Sequence, residues 1–337
     1  MTFQYDNFNP TEIDEHVILC SHYDLDGVGS TYFARTMFKV HDHYASSYPN
    51  VINNIKKGIG KSRIIVFVDL QVPDDALKLA LKNYDIVYYC DHHEGSEKYH
   101  KIQEKYPERF KYLFDSRYAA TKILAMKATQ LGVKLSNAEL EFAKACGAYD
   151  IWDLESKWYD KGWLLNSMFW KMNFWNFQIY LHEMDTMESL KDVFPKEVWQ
   201  EAIEYKKYVK EYVNDPDNYE LVESDTVKAG IFVFPKEDFF VNDVLLFNHD
   251  INACIGLVSG KETASVRLRI DGQNLNTILN NVMSKNENLK TGSGHAWAAG
   301  ISFKNPDNLD EVLDVCYDIV EELDNATNDE GYYDTKR

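Results

Sequence analysis

Three polar side chains stand at alternate positions, His22, Asp24 and Asp26, just past the apolar run His16 to Cys20. Carboxylates with an imidazole are ligands for hard divalent cations. If the backbone stays extended, alternate residues point the same way, so one imidazole and two carboxylates would leave one face of the chain. Taken alone, the stretch also reads as a solvated turn, because Asp and Gly favour turns and Asp26-Gly27 is followed by Gly29-Ser30.

Two further apolar runs end in the same chemistry. RIIVFVDL (63 to 70) carries Asp69 at its end, and DIVYYCDHH (85 to 93) runs into Asp91, His92 and His93. The helix-like stretches TYFARTMF and DDALKLALKNY lie between the runs, and HDHYASSY reads as a further short strand. Strands alternating with helices imply crossover connections and a largely parallel sheet, whose ligands bind beyond the carboxyl ends of the strands. All seven polar residues fall at such ends. Carboxylates converging from three strands repel one another, and divalent metal ions are the natural compensation, which weighs against the turn-only reading.

Composition bounds the rest. A chain of 337 residues, 45% hydrophobic and 27% charged, suits two soluble globular domains. The formal charge of −18 argues against a protein that coats long nucleic acid by neutralising phosphates. Five cysteines without a CxxC pair suggest neither a disulfide framework nor a zinc knot. No apolar run approaches membrane-spanning length, and MTFQYDNFNPTEIDEH lacks the regions of a signal peptide, so a cytoplasmic protein without membrane partners is expected.

Further along, FKYLFDS (110 to 116) and two helix-like stretches precede a further acidic position. SNAELEFAKACGAYD opens on Ser136 with Glu139 three residues later, a capping box, and ends at Asp150. By itself Asp150 reads as a solvated helix-end carboxylate. The stretch WYDKGWLLNSMFWKMNFWNFQIY (158 to 180) is dense in aromatics, which at helical spacing pack into a core more readily than they stack on bases. KKGIGKS (56 to 62) lacks the first glycine of a phosphate-binding loop, Ile55 standing in its place, and reads as a basic surface loop. Asn214 to Asn218 breaks the chain. Beyond it KAGIFVFP, NACIGLVS and ASVRLRI read as strands, LNTILNNVMSKN and DEVLDVCYDIVEELD as helices, and ATNDEGYYDTKR as a loose tail.

Taken together, His22-x-Asp24-x-Asp26-Gly27, Asp69 at the end of its strand, Asp91-His92-His93, and Asp150 in GAYDIWDL resemble the four motifs of the DHH phosphoesterase superfamily. GSGHAWAAG (292 to 300) and SVRLR (265 to 269) are similar to the Gly-rich and Ser-x-Arg motifs of the DHHA1 domain. The single residue between His22 and Asp24 is a spacing nearer to RecJ-type nucleases and some nanoRNases.

The resemblance implies an α/β protein in two parts. Residues 1–182 would form the DHH domain, a mostly parallel sheet flanked by helices; 183–218 a helical linker; and 219–330 a smaller α/β DHHA1 domain. It further implies two divalent ions, manganese in preference to magnesium. His22 and Asp24 would bind one, and Asp26, His92 and Asp150 the other, with Asp69 bridging. Asp153 competes with Asp150, which is preferred because Gly147 precedes it in a small-residue helix. His93 would face the phosphate and Asp91 would orient the site. Arg267, Ser293, Gly294 and His295 would bind the nucleotide end of a substrate across the cleft between domains. The activity implied is a two-metal phosphodiesterase acting on very short oligonucleotides, with oligomeric state open. A 3′-phosphoadenosine 5′-phosphate phosphatase, a cyclic-dinucleotide phosphodiesterase, a RecJ-like exonuclease and a binding module without turnover are the rivals.

Overall fold

The structure is a computed structural model and describes residues 2–10, 13–46, 50–93, 95–224, 226–234, 241–258, 261–270, 272–294 and 297–330. It divides into two compact units, residues 1–203 and 204–337. The division falls inside the segment 183–218 expected to connect the domains.

In the first unit the chain runs β1 (Tyr5–Asp6), β2 (His16–His22), α1 (Leu25–Met37), β3 (Lys39–Ser46), α2 (Val51–Gly58), β4 (Ile64–Val68), α3 (Asp74–Asn83) and β5 (Ile86–Asp91). It continues with α4 (His100–Lys105), β6 (Phe110–Phe114), α5 (Ala120–Gln130), α6 (Asn137–Asp150), α7 (Tyr159–Leu181), α8 (Leu190–Val193) and α9 (Lys196–Asn214), the last spanning the division. The sheet order is β1-β6-β5-β4-β2-β3, with only the β1–β6 pair antiparallel.

Burial on both faces explains the unbroken apolar runs. Along β2, Val17 and Leu19 enter one core while Ile18 and Cys20 enter the other; along β4, Val66 and Val68 oppose Ile65 and Phe67. All five residues of β4 are buried. Each buried Val or Ile contributes about 1.5–3 kcal/mol of transfer free energy, so this strand anchors the sheet and fixes where Asp69 leaves it.

The second unit comprises β7 (Tyr219–Glu223), β8 (Lys228–Phe234), α10 (Val241–Phe247), β9 (Ala253–Val258), β10 (Thr263–Leu268), α11 (Leu275–Lys285), β11 (Leu289–Gly294), β12 (Ala298–Phe303) and α12 (Leu309–Glu330). Its sheet order is β11-β12-β10-β9-β8-β7, and β8–β9 is the one parallel pair among the described strands. Leu275, Leu279, Val315 and Ile319 pack from α11 and α12 on one face. Among the described residues, no helix is long and apolar enough to cross a membrane.

Three readings change. The last helix continues through 326–330, taking up five of the twelve residues of the expected loose tail, and the Thr327 hydroxyl donates to the Leu323 carbonyl. Gly292 to Gly294, expected as a loop, extend β11: Gly292 pairs with Ile301 and Gly294 with Ala299. A Cβ at Gly292 would sit 3.1 Å from Leu279, so close strand–helix packing accounts for that glycine. Lys56, Lys57 and Gly58, expected in a loop, close helix α2.

Candidate metal centre

Residues in or just past β2, β4 and β5, with α1 and α6, supply the parts of the cluster. The β2 strand delivers His22, and the chain turns at once into α1 through Asp24, whose Oδ1 caps the helix by accepting from the Gly27 amide at 2.7 Å. A Cβ on Gly27 would lie 2.2 Å from the His22 carbonyl oxygen, so only glycine permits this tight exit. His22 Nδ1 and Asp24 Oδ2 are 2.5 Å apart.

Asp26, in the first turn of α1, is 2% exposed. Its carboxylate accepts from the amides of Ala120 (2.8 Å) and Thr121 (2.9 Å), the opening turn of α5, while the Thr121 hydroxyl donates to its carbonyl at 2.8 Å. A carboxylate at a helix N-terminus meets unpaired amides and the positive end of the dipole. That clamp, between residues 94 apart in sequence, had no signal in the chain.

Asp69 follows β4 with φ 50, a left-handed backbone that a non-glycine residue adopts at some strain, and its amide donates to the Cys90 carbonyl at 3.0 Å. Strained backbone of this kind persists where surrounding packing over-determines it, and here it turns a buried carboxylate into the cluster. Asp91, at the end of β5, is fully buried. Its Oδ1 accepts from His93 Nδ1 at 2.7 Å, and its Oδ2 from the Tyr89 hydroxyl at 2.9 Å and the Ser96 hydroxyl at 2.6 Å.

His92 Nε2 lies 3.3 Å from Asp69 Oδ1, 3.4 Å from Asp150 Oδ2 and 3.7 Å from Asp26 Oδ2. Three trios have ligand atoms within 4.8 Å of one another: His22, Asp24 and Asp69; Asp26, His92 and Asp150; and Asp69, His92 and His93. Asp153 belongs to none of them. Asp150 closes α6, the helix that Ser136 and Glu139 cap at its start.

The cluster's carboxylates are only partly compensated. Burial, followed by the negative charges of Asp26 and Asp24, raises both Asp69 and Asp150 well above the ordinary carboxylate range. Burial also lowers His92, although Asp26 opposes it. At Asp24 burial acts upward, yet the hydrogen bond and charge of His22 bring the carboxyl below its usual range. Burial likewise opposes charge at His93 and Asp91, but their mutual hydrogen bond outweighs it, lifting His93 to about 9 and lowering Asp91 to about 2.

Three buried atoms, Asp69 Oδ2, His92 Nε2 and Asp150 Oδ2, have no hydrogen-bond partner. Orphaned acceptors of this kind are costly unless something coordinates them. Oxygen and imidazole donors without a thiolate fit manganese or magnesium, so the donor set and the orphaned atoms both suit divalent cations.

The expected second-unit residues lie on two strands and beyond them. Arg267, on β10, donates to the Asn242 side chain and to the Val266 carbonyl at 2.8 Å. Ser293 and Gly294 lie in β11, and His295 lies outside the described residues.

No protein-family model matches the sequence, and a search of curated proteins finds no match. Solved structures do match. RecJ from Thermus thermophilus, in complex with Mn2+, aligns at TM-score 0.56 and 12% identity over 90% of this chain and 52% of its own. The chain shares the fold of this RecJ. The DHH domain of a protein described as a member of a ribosomal-protein family aligns at TM-score 0.56 and 14% identity, over 91% of this chain and 87% of its own. A pGpG-specific phosphodiesterase from Vibrio cholerae aligns at 0.54 and 14%, over 90% and 99%. The strand-end residues that resemble the DHH motifs lie in the cluster that the fold assembles.

Proposed function

We propose that the protein is a two-metal phosphodiesterase that releases mononucleotides from very short oligonucleotides. The observation that carries this reading is the set of overlapping trios around Asp69, with buried, partnerless atoms on Asp69, His92 and Asp150. His22 and Asp24 would hold one cation, Asp26, His92 and Asp150 the other, and Asp69 would be shared, with manganese favoured over magnesium. The ions would polarise the phosphodiester and activate water for in-line attack.

The chain itself supplies orientation and charge. Asp91 fixes the His93 ring through Nδ1 and, against burial, raises the pKa of that imidazole. A protonated His93 Nε2 hydrogen-bonds a non-bridging phosphate oxygen, where negative charge grows in the transition state. Tyr89 and Ser96 hold Asp91 from behind, so the proton stays on His93.

A short substrate fits the charge of −18, which opposes long phosphate tracts. It also fits the likeness to a pGpG-specific enzyme, whose substrate has two nucleotides. In the second unit, Ser293 and Gly294 with His295 are the proposed contacts for the nucleotide end. Free, buried cysteines suit a reducing compartment such as the cytoplasm.

The test is product analysis with manganese and four substrates: a 5′-phosphorylated RNA dinucleotide, a five-nucleotide RNA, adenosine 3′,5′-bisphosphate and a cyclic dinucleotide. Mononucleotide release chiefly from the two short RNAs is expected. Preference for the bisphosphate or the cyclic compound would reassign the substrate, and absence of all turnover would remove the enzyme.

A further inference from the structure

Next to the cluster the first unit opens into a groove. One cavity of about 540 Å³ is bounded by His22, Tyr23, Asp24, Ser46, Asn50 and Trp170. A second, about 550 Å³, shares Ser46 and Asn50 with it and continues past Asn53, Asn54 and Lys57. The two share lining residues, and together they are the trough beside His22 and Asp24. Each volume lies within the range of small-molecule sites, about 300–1,000 Å³.

Three features show that the trough is built for a polar, flat ligand. Ser46 ends β3, is 7% exposed and lines both cavities. Its buried hydroxyl has no hydrogen-bond partner, which is costly.

The second feature is the aromatic wall. Helix α7 breaks at Asn173, which adopts φ 67, and Asn173 Oδ1 caps the following turn by accepting from the amides of Trp175 (3.1 Å) and Asn176 (3.2 Å). That break ends the first half-helix beside the site. Trp170 stands there 42% exposed, its ring 6.3 Å from Tyr23, while Phe169 and Phe174 around it are buried. The third is the far end, where α2 presents Asn50, Asn53 and Asn54, all able to donate and accept, followed by Lys57. Lys57 Nζ lies 5.8 Å from the centroid of the Tyr44 ring.

We infer that this trough is the subsite for the nucleotide neighbouring the scissile phosphate, on a linear single strand at least three nucleotides long. Its base stacks on Trp170, Ser46 and the asparagines hydrogen-bond its sugar, and Lys57 meets the next phosphate out. The inference deepens the phosphodiesterase reading and rests on it for the position of the scissile bond. It makes chain length a specificity determinant: a dinucleotide has no second phosphodiester to reach Lys57.

The test compares wild type, Trp170→Ala, Trp170→Phe, Lys57→Gln and the control Lys56→Gln, an exposed neighbour outside the trough. Two quantities are measured with manganese: affinity for a five-nucleotide RNA with hydrolysis-resistant phosphorothioate linkages, and turnover of bis(p-nitrophenyl) phosphate, which has no base. Trp170→Ala should weaken RNA binding about tenfold more than it lowers bis(p-nitrophenyl) phosphate turnover, and Trp170→Phe should recover most of that loss. Lys57→Gln should lower the slope of log affinity against log salt by about 0.7, one phosphate contact on a single strand. Lys56→Gln should change neither affinity nor turnover. Equal losses on both measures, or an unaltered salt slope in Lys57→Gln, overturn the subsite. A wild type that hydrolyses the nitrophenyl diester but does not bind the RNA overturns the subsite and keeps the metal centre. A wild type that hydrolyses nothing yet binds the RNA with the expected sensitivity to Trp170 and Lys57 keeps the trough and removes the enzyme.

Discussion

In the first unit the polar side chains past β2, β4 and β5 turn toward one another, whereas Arg267 on β10 and Arg269 just beyond it turn into their own fold. Arg269 donates to the carbonyls of Leu245 (2.8 Å) and Ile251 (2.8 Å), and Arg267 reaches Asn242 and Val266. A carboxylate that has neighbours of like charge and partnerless atoms is arranged for something it does not yet touch; a guanidinium with carbonyl partners is arranged for its own sheet. The difference follows from sheet type. Parallel strands release every carboxyl end at one edge, where side chains from separate crossovers meet, while the mainly antiparallel second sheet scatters strand ends to both edges.

The largest test of this contrast is Asp69→Asn. It removes the carboxylate common to two trios, so phosphodiester turnover should fall by more than about 100-fold, the upper range for loss of a mere supporting partner. Manganese should also lose most of its effect on Tm, since a ligand at about 100 Kd that binds only the folded state adds about 2.7 kcal/mol. Equal manganese shifts in wild type and Asp69→Asn would take Asp69 out of the site.

Asp91→Asn separates holding from binding. Asp91 touches His93, Tyr89 and Ser96 and belongs to none of the three trios, so turnover should drop about 10–100-fold while the manganese shift in Tm persists. Without the carboxylate, His93 loses the partner that lifts it to about 9. Its proton should then leave at lower pH, and the alkaline limb of the activity profile should move down. An unmoved alkaline limb would assign that limb to another group.

What the chain disclosed, and what it withheld, follows the same physics. His22, Asp24, Asp26, Asp69, His92 and His93 were legible because a strand's end is a local feature and a parallel sheet gathers such ends. Asp150 became legible only with the motif order, since a helix-end carboxylate is ordinarily solvated. The clamp of Asp26 on the Ala120 and Thr121 amides, the unpaired Ser46 hydroxyl and the break at Asn173 depend on packing between distant segments. The Gly-rich stretch misled because glycine signals turns on average, yet Gly292 gives the helix Leu279 room instead.

Arg267→Met probes the other side of the contrast with a smaller effect. If the guanidinium serves its own sheet, losing bonds to Asn242 and Val266 should lower stability by about 1–3 kcal/mol in denaturant titration. The salt dependence of RNA affinity should stay as in wild type. A slope reduced by about 0.7 would instead show that Arg267 meets a phosphate, and the second sheet would join the first as a binding surface.

The smallest effect concerns His43, an imidazole close to the cluster but outside it. Its Nε2 lies 2.9 Å from the Ser21 hydroxyl, Nδ1 is buried without a partner, and the Phe174 and Trp175 rings pack on it. Burial, aided by the positive charge of Arg35, lowers it to about 3, so the fold holds it neutral. The unfolded chain takes up this proton as pH falls through about 6.5, and the folded chain does so only near 3. His43 therefore subtracts stability progressively below pH 6.5. The slope is well under the ceiling of about 1.4 kcal/mol per pH unit, because the residue is only partly buried. In His43→Asn the fall of Tm between pH 6.5 and 4 should be shallower than in wild type, and parallel curves would refute a neutral His43. The contrast with His93 then lies within one unit: one imidazole raised because Asp91 grips it, the other lowered because hydroxyls and aromatic rings surround it.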